Sequence, residues 1–211
     1  MAPSSFRLCY ITDRHLLGSE SLQQRIQQAV QASVDLVQIR EKDLPTRELL
    51  SLVQGAVDAA RGRGPEASRI VVNDRLDVAL AAGAHGVHLG TQSMPARLVR
   101  AMLPEDFLVG VSCHSLAEAR AAESSRADYI LLGPVFETPS KLAYGPPLGL
   151  ENLNRVASQV RIPVIALGGI TIGRVKPCLE NGAAGIAGIR VFQECESLEA
   201  LVHALRAMFG P

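Results

Sequence analysis

Residues 163–170 read Pro-Val-Ile-Ala-Leu-Gly-Gly-Ile, and this short apolar run ending in two glycines decides the fold of the chain. Residues 185–189 repeat the pattern as Gly-Ile-Ala-Gly-Ile. Each run precedes a segment whose apolar residues are three and four positions apart, which is typical of a helix packed on a sheet. The two runs therefore predict the last two strands of a (β/α)8 barrel, in which parallel strands alternate with helices.

The rest of the chain extends this alternation to eight strand and helix pairs. The predicted strands cover residues 8–11, 36–40, 70–73, 86–89, 108–111, 129–132, 164–167 and 185–189. The predicted helices cover residues 22–32, 46–61, 76–82, 95–102, 116–124, 150–159, 172–181 and 198–208. No linker-like stretch interrupts the series, so residues 1–211 are predicted to form one (β/α)8 barrel domain.

Local signals mark several helix ends. Ser115 precedes a Leu-Ala-Glu sequence and predicts a capping box, and Pro95 suits a first helical position. Gly83 and Gly182 follow predicted helices, where a left-handed C-cap favours glycine. In each case a second glycine follows three residues later and is expected to let the next strand enter tightly.

Composition excludes some classes of partner. Hydrophobic residues make up 47% of the chain, which suffices for a sizeable core. Basic and acidic residues both number 21, so no global charge favours nucleic acid or a membrane surface. The sequence has neither a signal-like start nor a membrane-length apolar run, and this predicts a cytoplasmic protein. The four cysteines form no C-x-x-C pair, and most are expected to be buried, inert thiols.

Polar residues at the ends of predicted strands are the candidates for chemistry, because barrel active sites lie there. Alternation after strand two places Gln38, Arg40 and Lys42 on one side, and two cations with an amide suit a phosphate or diphosphate. The alternative is a solvated rim with an Arg40–Glu41 or Lys42–Asp43 pair.

Strands three and five also end in polar residues. Asn73 and Asp74 offer hard oxygen ligands for magnesium, although Asp74 alternatively serves as the N-cap of the next helix. Ser112 supplies a hydroxyl. His114 supplies an imidazole, which we interpret as a rim residue because no partner acid is evident nearby.

The glycines after strand seven predict an anion cradle, because glycine allows backbone N–H groups to approach a ligand closely. The alternative is a simple turn between strand and helix. Arg190, just beyond strand eight, is expected to face these glycines and to add charge. The long loop after strand six contains Thr138, Ser140 and Lys141, which form a candidate phosphate clamp.

Together these residues resemble the thiamine phosphate synthase and thiazole tautomerase superfamily over nearly the whole chain. Six motifs carry the resemblance, in family order and at family-like spacing. They are Tyr-Ile-Thr-Asp at 10–13, Val-Gln-Ile-Arg-Glu-Lys at 37–42, Asn-Asp-Arg at 73–75, Gly-Val-His-Leu-Gly at 86–90, Gly-Pro-Val-Phe at 133–136 with Thr-Pro-Ser-Lys at 138–141, and Ala-Leu-Gly-Gly-Ile at 166–170.

The resemblance implies a transferase that joins hydroxymethylpyrimidine diphosphate to a thiazole phosphate and releases diphosphate. In that scheme the pyrimidine C–O bond breaks first, and the thiazole nitrogen captures the resulting carbocation. The resemblance assigns the diphosphate to Arg40, Lys42, Asn73 and Lys141, with Mg²⁺ on Asp74. It assigns the pyrimidine to Gln38 and Ser112, and the thiazole phosphate to Thr138, Ser140, Gly169, Ile189 and Arg190. Arg40, Lys42, Lys141 and Ser112 would be the catalytic residues.

Two positions depart from the synthase pattern. Ser93 stands where the synthases have a second magnesium-binding aspartate, and Arg190 stands where they have a serine. Two other functions therefore stay open: a metal-independent thiazole tautomerase, which would need His114 as its base because the usual histidine is replaced by Pro134, and a non-catalytic binder of phosphorylated ligands. The sequence leaves the oligomeric state open.

Overall fold

The computed structural model describes residues 6–64, 67–138 and 146–209. Within these residues eight parallel strands close into a barrel in the order β1 to β8. β1 completes the closure, because Tyr10 pairs with Val37 of β2 on one side and with Gly188 of β8 on the other. The predicted (β/α)8 barrel is confirmed.

The strands alternate with helices along the described chain. The strands are β1 (Leu8–Ile11), β2 (Leu36–Ile39), β3 (Arg69–Asn73), β4 (Gly86–Leu89), β5 (Leu108–Cys113), β6 (Tyr129–Leu132), β7 (Val164–Leu167) and β8 (Gly185–Gly188). The helices are α1 (Leu22–Gln31), α2 (Thr46–Ala60), α3 (Leu76–Ala81), α4 (Ala96–Ala101), α5 (Leu116–Ser124), α6 (Gly149–Ala157), α7 (Ile172–Glu180), α8 (Arg190–Gln193) and α9 (Leu198–Arg206). Short 3₁₀ turns cover Arg14–Leu16 and Ala207–Phe209.

The boundaries differ from the sequence predictions by a few residues, for identifiable reasons. β2 ends at Ile39 because the backbone N–H of Arg40 donates to Thr12 Oγ1 at 2.9 Å. β5 extends to Cys113, since Cys113 pairs with Leu132 of β6. Pro95 is the N-cap residue of α4 with ψ 131°, so it lies one position before the predicted one.

The N-cap at Ser115 and the glycine C-caps are present, but the capping box predicted at Ser115 is incomplete, because Glu118 accepts from the N–H of the preceding residue His114. Ser115 Oγ accepts from the N–H of Glu118 at 3.2 Å, while the Glu118 carboxylate accepts from the N–H of His114 at 2.6 Å. Gly83 and Gly182 have φ of 67° and 86°, as a left-handed C-cap requires. A Cβ at Gly185 would lie 2.5 Å from the carbonyl oxygen of Arg7, so the second glycine does permit close strand entry.

Two apolar layers make up the core. The larger layer lies between the sheet and the helices and includes Leu8, Tyr10, Val37 and Ile39. The smaller layer fills the barrel interior with alternate residues of the same strands. It comprises Phe6, Cys9, Ile11, Leu36, Val71, Tyr129, Leu131, Ile165 and Ala187.

Candidate functional site at the barrel mouth

Gln38 and Asn73 are two hydrogen-bonded polar side chains at the barrel mouth, on the neighbouring strands β2 and β3. Gln38 pairs in register with Ile11 and Val71, both residues of the interior layer, so its side chain faces the interior as well. Gln38 Nε2 donates to Asn73 Oδ1 at 2.9 Å. Gln38 is only 2% exposed, and its Oε1 has no donor in the described part of the chain. Since a buried acceptor is costly to leave unpaired, this oxygen is available to accept a hydrogen bond from a water or a ligand.

Ser112 is held by a buried histidine from the neighbouring strand. His88 Nε2 lies 2.9 Å from Ser112 Oγ, and His88 Nδ1 lies 3.3 Å from the hydroxyl of Tyr129. Burial lowers the pKa of His88 to about 4, so its imidazole is neutral near pH 7. A neutral imidazole has one donor and one acceptor nitrogen, and it therefore fixes the direction of the Ser112 hydroxyl. Sequence reasoning noted His88 only within a motif and did not assign it to the site.

Gly110 makes room for this buried network. A Cβ at Gly110 would lie 2.6 Å from His88 Nδ1 and closer still to the Tyr129 hydroxyl. The rings of His88 and Tyr129 stack with centroids 5.7 Å apart. The absence of a side chain on β5 thus allows two bulky polar rings to share the barrel interior.

The cationic edge of the mouth is formed by Arg40 and Lys42. Neither side chain forms a salt bridge within residues 6–64, 67–138 and 146–209. The alternative prediction of an Arg40–Glu41 or a Lys42–Asp43 ion pair is wrong. Glu41 accepts from Thr12 Oγ1 at 2.6 Å and contacts Arg14, while Asp43 contacts Arg14 and His15.

Lys42 does not follow the alternation that the sequence suggested. β2 ends at Ile39, and Lys42 lies in the turn that follows it, where it is exposed. Asp43 in the same turn is held by a hydrogen bond from Arg14, which keeps the pKa of that carboxyl below its usual range. The turn therefore leaves the charge of Lys42 open to solvent or ligand.

Asp74 and Ser93 lie side by side at the mouth, as the motif alignment predicted. The Ser93 hydroxyl donates to Asp74 Oδ1, and the N–H of Gly90 donates to Ser93 Oγ at 2.6 Å. Asp74 has φ of 61°, a left-handed conformation that is uncommon outside glycine and asparagine or aspartate. Its carboxylate does not cap α3, because the N-cap position is held by Arg75, so that alternative is wrong.

The glycine cradle after β7 has the backbone conformation that the sequence predicted. Gly168 and Gly169 have φ of 100° and 63°. A Cβ would lie 2.6 Å from Pro134 Cα at the first and 2.5 Å from the carbonyl oxygen of Glu137 at the second. Within the described residues, the N–H groups of Gly168, Gly169 and Ile189 have no backbone acceptor. Such unpaired amides are suited to an anion.

The two arginines near the cradle differ from expectation. Arg190 Nη1 donates to Glu194 Oε1 at 2.9 Å one turn along α8, so its guanidinium is paired there instead of facing the glycines. Arg174 in the first turn of α7, which sequence reasoning missed, donates from Nη1 to the carbonyl oxygen of Gly169 at 2.8 Å. Its position five residues after the second glycine is the signal that could have found it.

His114 lies away from the barrel interior. It lines a cavity of about 300 Å³ between α5 and α6, together with Leu132, Asn152 and Arg155. It does have a partner acid, since His114 Nδ1 lies 3.2 Å from Glu118 Oε2, and the expectation that it has none is wrong.

The loop after β6 is described only in part. Thr138 is half-buried at the end of the described segment. Ser140 and Lys141 lie outside the described residues, so their predicted roles stay predictions.

None of the four cysteines is among the candidate site residues. Cys9, Cys113 and Cys178 are buried free thiols, and Cys195 is partly buried. Burial raises the pKa of Cys113 to about 12 and that of Cys178 to about 11, so the thiolate nucleophile is disfavoured. The expectation that most of the cysteines are buried is confirmed.

Comparison with known proteins agrees with this geometry, which defines a (β/α)8 barrel with a polar mouth, two cations at one edge and a glycine turn after β7. The family model for thiamine monophosphate synthase matches residues 8–192. A relative in Geobacter sulfurreducens is 43% identical over 100% of this chain and 98% of its own length. A thiamine-phosphate synthase of Syntrophomonas wolfei is 36% identical over 99% of each chain.

A solved structure extends the likeness to three dimensions. Thiamine phosphate pyrophosphorylase from Pyrococcus furiosus superposes with a TM-score of 0.86 at 32% identity, covering 99% of this chain and 98% of that one. The chain belongs to the thiamine monophosphate synthase family. In the described part of the chain, no helix is long and apolar enough to cross a membrane.

Proposed function

We propose that this protein is a thiamine-phosphate synthase, a transferase of thiamine biosynthesis that acts as a single barrel domain in the cytoplasm. It joins hydroxymethylpyrimidine diphosphate to a thiazole phosphate and releases diphosphate. The observation that carries the proposal is that the mouth has two different edges. In the described part of the chain, Arg40 on one edge is a half-buried cation without a carboxylate partner, and the amides of Gly168 and Gly169 on the other have no backbone acceptor. One edge thus suits a diphosphate and the other a phosphate.

The pyrimidine would lie between β2 and β5. The unpaired Oε1 of Gln38 is an acceptor for an exocyclic amino group, and the Ser112 hydroxyl, oriented by His88, offers a second polar contact. Because His88 is neutral, it adds no charge that would oppose a pyrimidine cation. This arrangement holds the ring while its C–O bond to the diphosphate breaks.

Catalysis of this reaction depends mainly on stabilising the charge of the departing diphosphate and on positioning the thiazole nitrogen. When the C–O bond breaks, the electron pair leaves with the diphosphate, and Arg40, Lys42 and Lys141 would stabilise that charge. The thiazole nitrogen then donates its lone pair to the pyrimidine CH₂ carbon and forms the new C–N bond. Holding the thiazole by its phosphate at Gly169 and Ile189, with Thr138 and Ser140 beside it, would align that nitrogen.

The residues at Asp74 fit a magnesium ion. Magnesium takes one or two carboxylates and completes its shell with water and substrate phosphate oxygens. Asp74 supplies one carboxylate, and the neighbouring Ser93 hydroxyl supplies a neutral oxygen. The Asn73 amide nitrogen donates to Asp74 Oδ2 at 2.7 Å and so positions that carboxylate, while its oxygen accepts from Gln38. The described residues contain no cluster of three acidic, histidine or cysteine ligands, so any ion held here would depend on the substrate. When bound, the ion would offset negative charge on the diphosphate.

Purified protein incubated with hydroxymethylpyrimidine diphosphate, thiazole phosphate and Mg²⁺ tests the proposal. Thiamine phosphate is followed by fluorescence after oxidation, with a control lacking Mg²⁺ and a second arm containing carboxythiazole phosphate. We expect magnesium-dependent product. Conversion of the carboxythiazole without metal, and no coupling, would make the protein a tautomerase, whereas ligand binding without any turnover would make it a non-catalytic binder.

A further inference from the structure

Arg174 closes the outer side of the glycine cradle. It is the third residue of α7, the helix that begins just after Gly168 and Gly169. Its Nη1 donates to the carbonyl oxygen of Gly169 at 2.8 Å, and its Cζ lies 4.7 Å from the ring centroid of Phe136. The aromatic face and the carbonyl together hold the guanidinium in one place.

Arg174 differs from the nearby cations Arg190 and Lys176, which form ion pairs with glutamates. Arg190 is paired with Glu194 at 2.9 Å, and Lys176 on α7 is 3.9 Å from Glu180. Arg174 has no carboxylate within salt-bridge distance in the described ranges of the chain. Its positive charge is therefore available to an anion at the cradle.

The two peptide units of the cradle, Gly168–Gly169 and Gly169–Ile170, each have a carbonyl oxygen that accepts a hydrogen bond. The carbonyl oxygen of Gly168 accepts from the N–H of Phe136 at 3.1 Å, and that carbonyl shares a peptide unit with the N–H of Gly169. The carbonyl oxygen of Gly169 accepts from Arg174, and it shares a peptide unit with the N–H of Ile170. A carbonyl that accepts a hydrogen bond makes the N–H of the same unit a stronger donor, most of all when the incoming donor is charged.

We propose that Arg174 is a positioning residue that sets the selectivity of the cradle for a phosphorylated thiazole over the corresponding alcohol. It holds Gly169 in its left-handed conformation, strengthens the Ile170 N–H as a donor and supplies the local positive charge. The inference rests on the proposed function, because it takes the thiazole phosphate to be the ligand of this cradle.

Arg174→Gln tests the proposal, with Lys176→Gln as the matched control on the same helix. Arg174→Gln should raise KM for thiazole phosphate about tenfold or more, the usual effect of losing a charged hydrogen bond. KM for the pyrimidine diphosphate should stay within about twofold, because that substrate lies at the other edge of the mouth. Use of the unphosphorylated hydroxyethylthiazole should be unaffected, so the preference for the phosphorylated substrate falls by the same factor. Arg174→Lys should restore part of it, since lysine keeps the charge but loses the planar fork.

Calorimetric titration with thiazole phosphate gives a readout that needs no turnover. If the wild-type protein binds thiazole phosphate but makes no product, and Arg174→Gln binds it about tenfold more weakly, the synthase assignment fails while the role of Arg174 stands. Equal binding by Arg174→Gln and Lys176→Gln would overturn the role of Arg174. So would a parallel rise of both KM values with a lowered melting temperature, since that pattern indicates only a structural contribution.

Discussion

The hydroxyl of Ser93 donates to the carboxylate of Asp74, so a neutral side chain occupies the space beside the acidic group at the barrel mouth. The two residues come from the loops after β4 and β3, which are adjacent strands of the barrel. Because the hydroxyl is engaged with the carboxylate, a metal at Asp74 would have to compete with this hydrogen bond. We therefore expect the pair to set how strongly the mouth binds a divalent cation.

Ser93→Asp should strengthen magnesium binding. A second carboxylate beside Asp74 adds a charged ligand, and we expect the Mg²⁺ concentration for half-maximal rate to fall about tenfold, equivalent to ~1.4 kcal/mol. The rate is measured against Mg²⁺ concentration at saturating substrates. Ser93→Asn is the control, because it has similar reach without charge. An unchanged magnesium dependence in Ser93→Asp would place position 93 away from the metal.

Arg40→Ala should impair use of the diphosphate substrate. Among the described residues the guanidinium has no carboxylate partner, so the substitution removes a positive charge beside the leaving group without leaving a buried anion unpaired. We expect kcat/KM for the pyrimidine diphosphate to drop on the order of a hundredfold. Steady-state kinetics measures this, with Arg63→Ala as the control, because Arg63 is exposed and donates to the carbonyl of Gln31 on the surface. Near-normal kinetics in Arg40→Ala would contradict the assignment of this edge.

Gly110→Ala and Gly173→Ala should have opposite effects on stability. A methyl group at Gly110 collides with the His88 and Tyr129 rings, and overpacking of this kind costs about 1–3 kcal/mol. A methyl group at Gly173 meets nothing within 4 Å on a helix surface, and it should stabilise the protein by about 0.5–1 kcal/mol. Chemical denaturation measures both. Equal effects at the two positions would mean that the barrel interior is not close-packed around His88.

His88 should make the protein lose stability as the pH falls. Its pKa is lowered by burial to about 4, below the ordinary value near 6.5, so the unfolded chain takes up a proton at a higher pH than the folded one. Stability is therefore full above pH 6.5 and declines as the pH falls toward 4, by about 2 kcal/mol at pH 5. Urea unfolding at pH 7 and pH 5 measures the difference. His88→Gln should lose this part of the pH dependence, while His203→Gln on the exposed face of α9 should retain it. Identical pH dependence in His88→Gln and the wild type would show that His88 does not cause it.

The sequence was sufficient to predict the barrel and the approximate position of all eight strands and of eight of the nine helices in the described residues, whereas α8 (Arg190–Gln193) was not predicted. Alternation between short apolar runs and amphipathic segments is a local property, and the right-handed strand, helix, strand connection then restricts the topology. The placement of Ser93 beside Asp74 came from the family resemblance and not from this alternation. The left-handed backbone of Gly168 and Gly169 agrees with the freedom that glycine has at positive φ.

Other features required the folded chain. The partner of a charged side chain depends on where distant segments meet, which is why Glu41 bonds to Thr12 and not to Arg40, and why Arg190 is neutralised by Glu194.

By itself, then, the sequence determined which strands form and which end of each carries polar groups, since these depend on the order of residues along the chain. Only the tertiary structure decided that His88 is buried and neutral against Ser112, that His114 lies outside the barrel, and that Arg174 holds the cradle. Each of these depends on burial and on contacts between segments far apart in sequence, which local pattern does not encode.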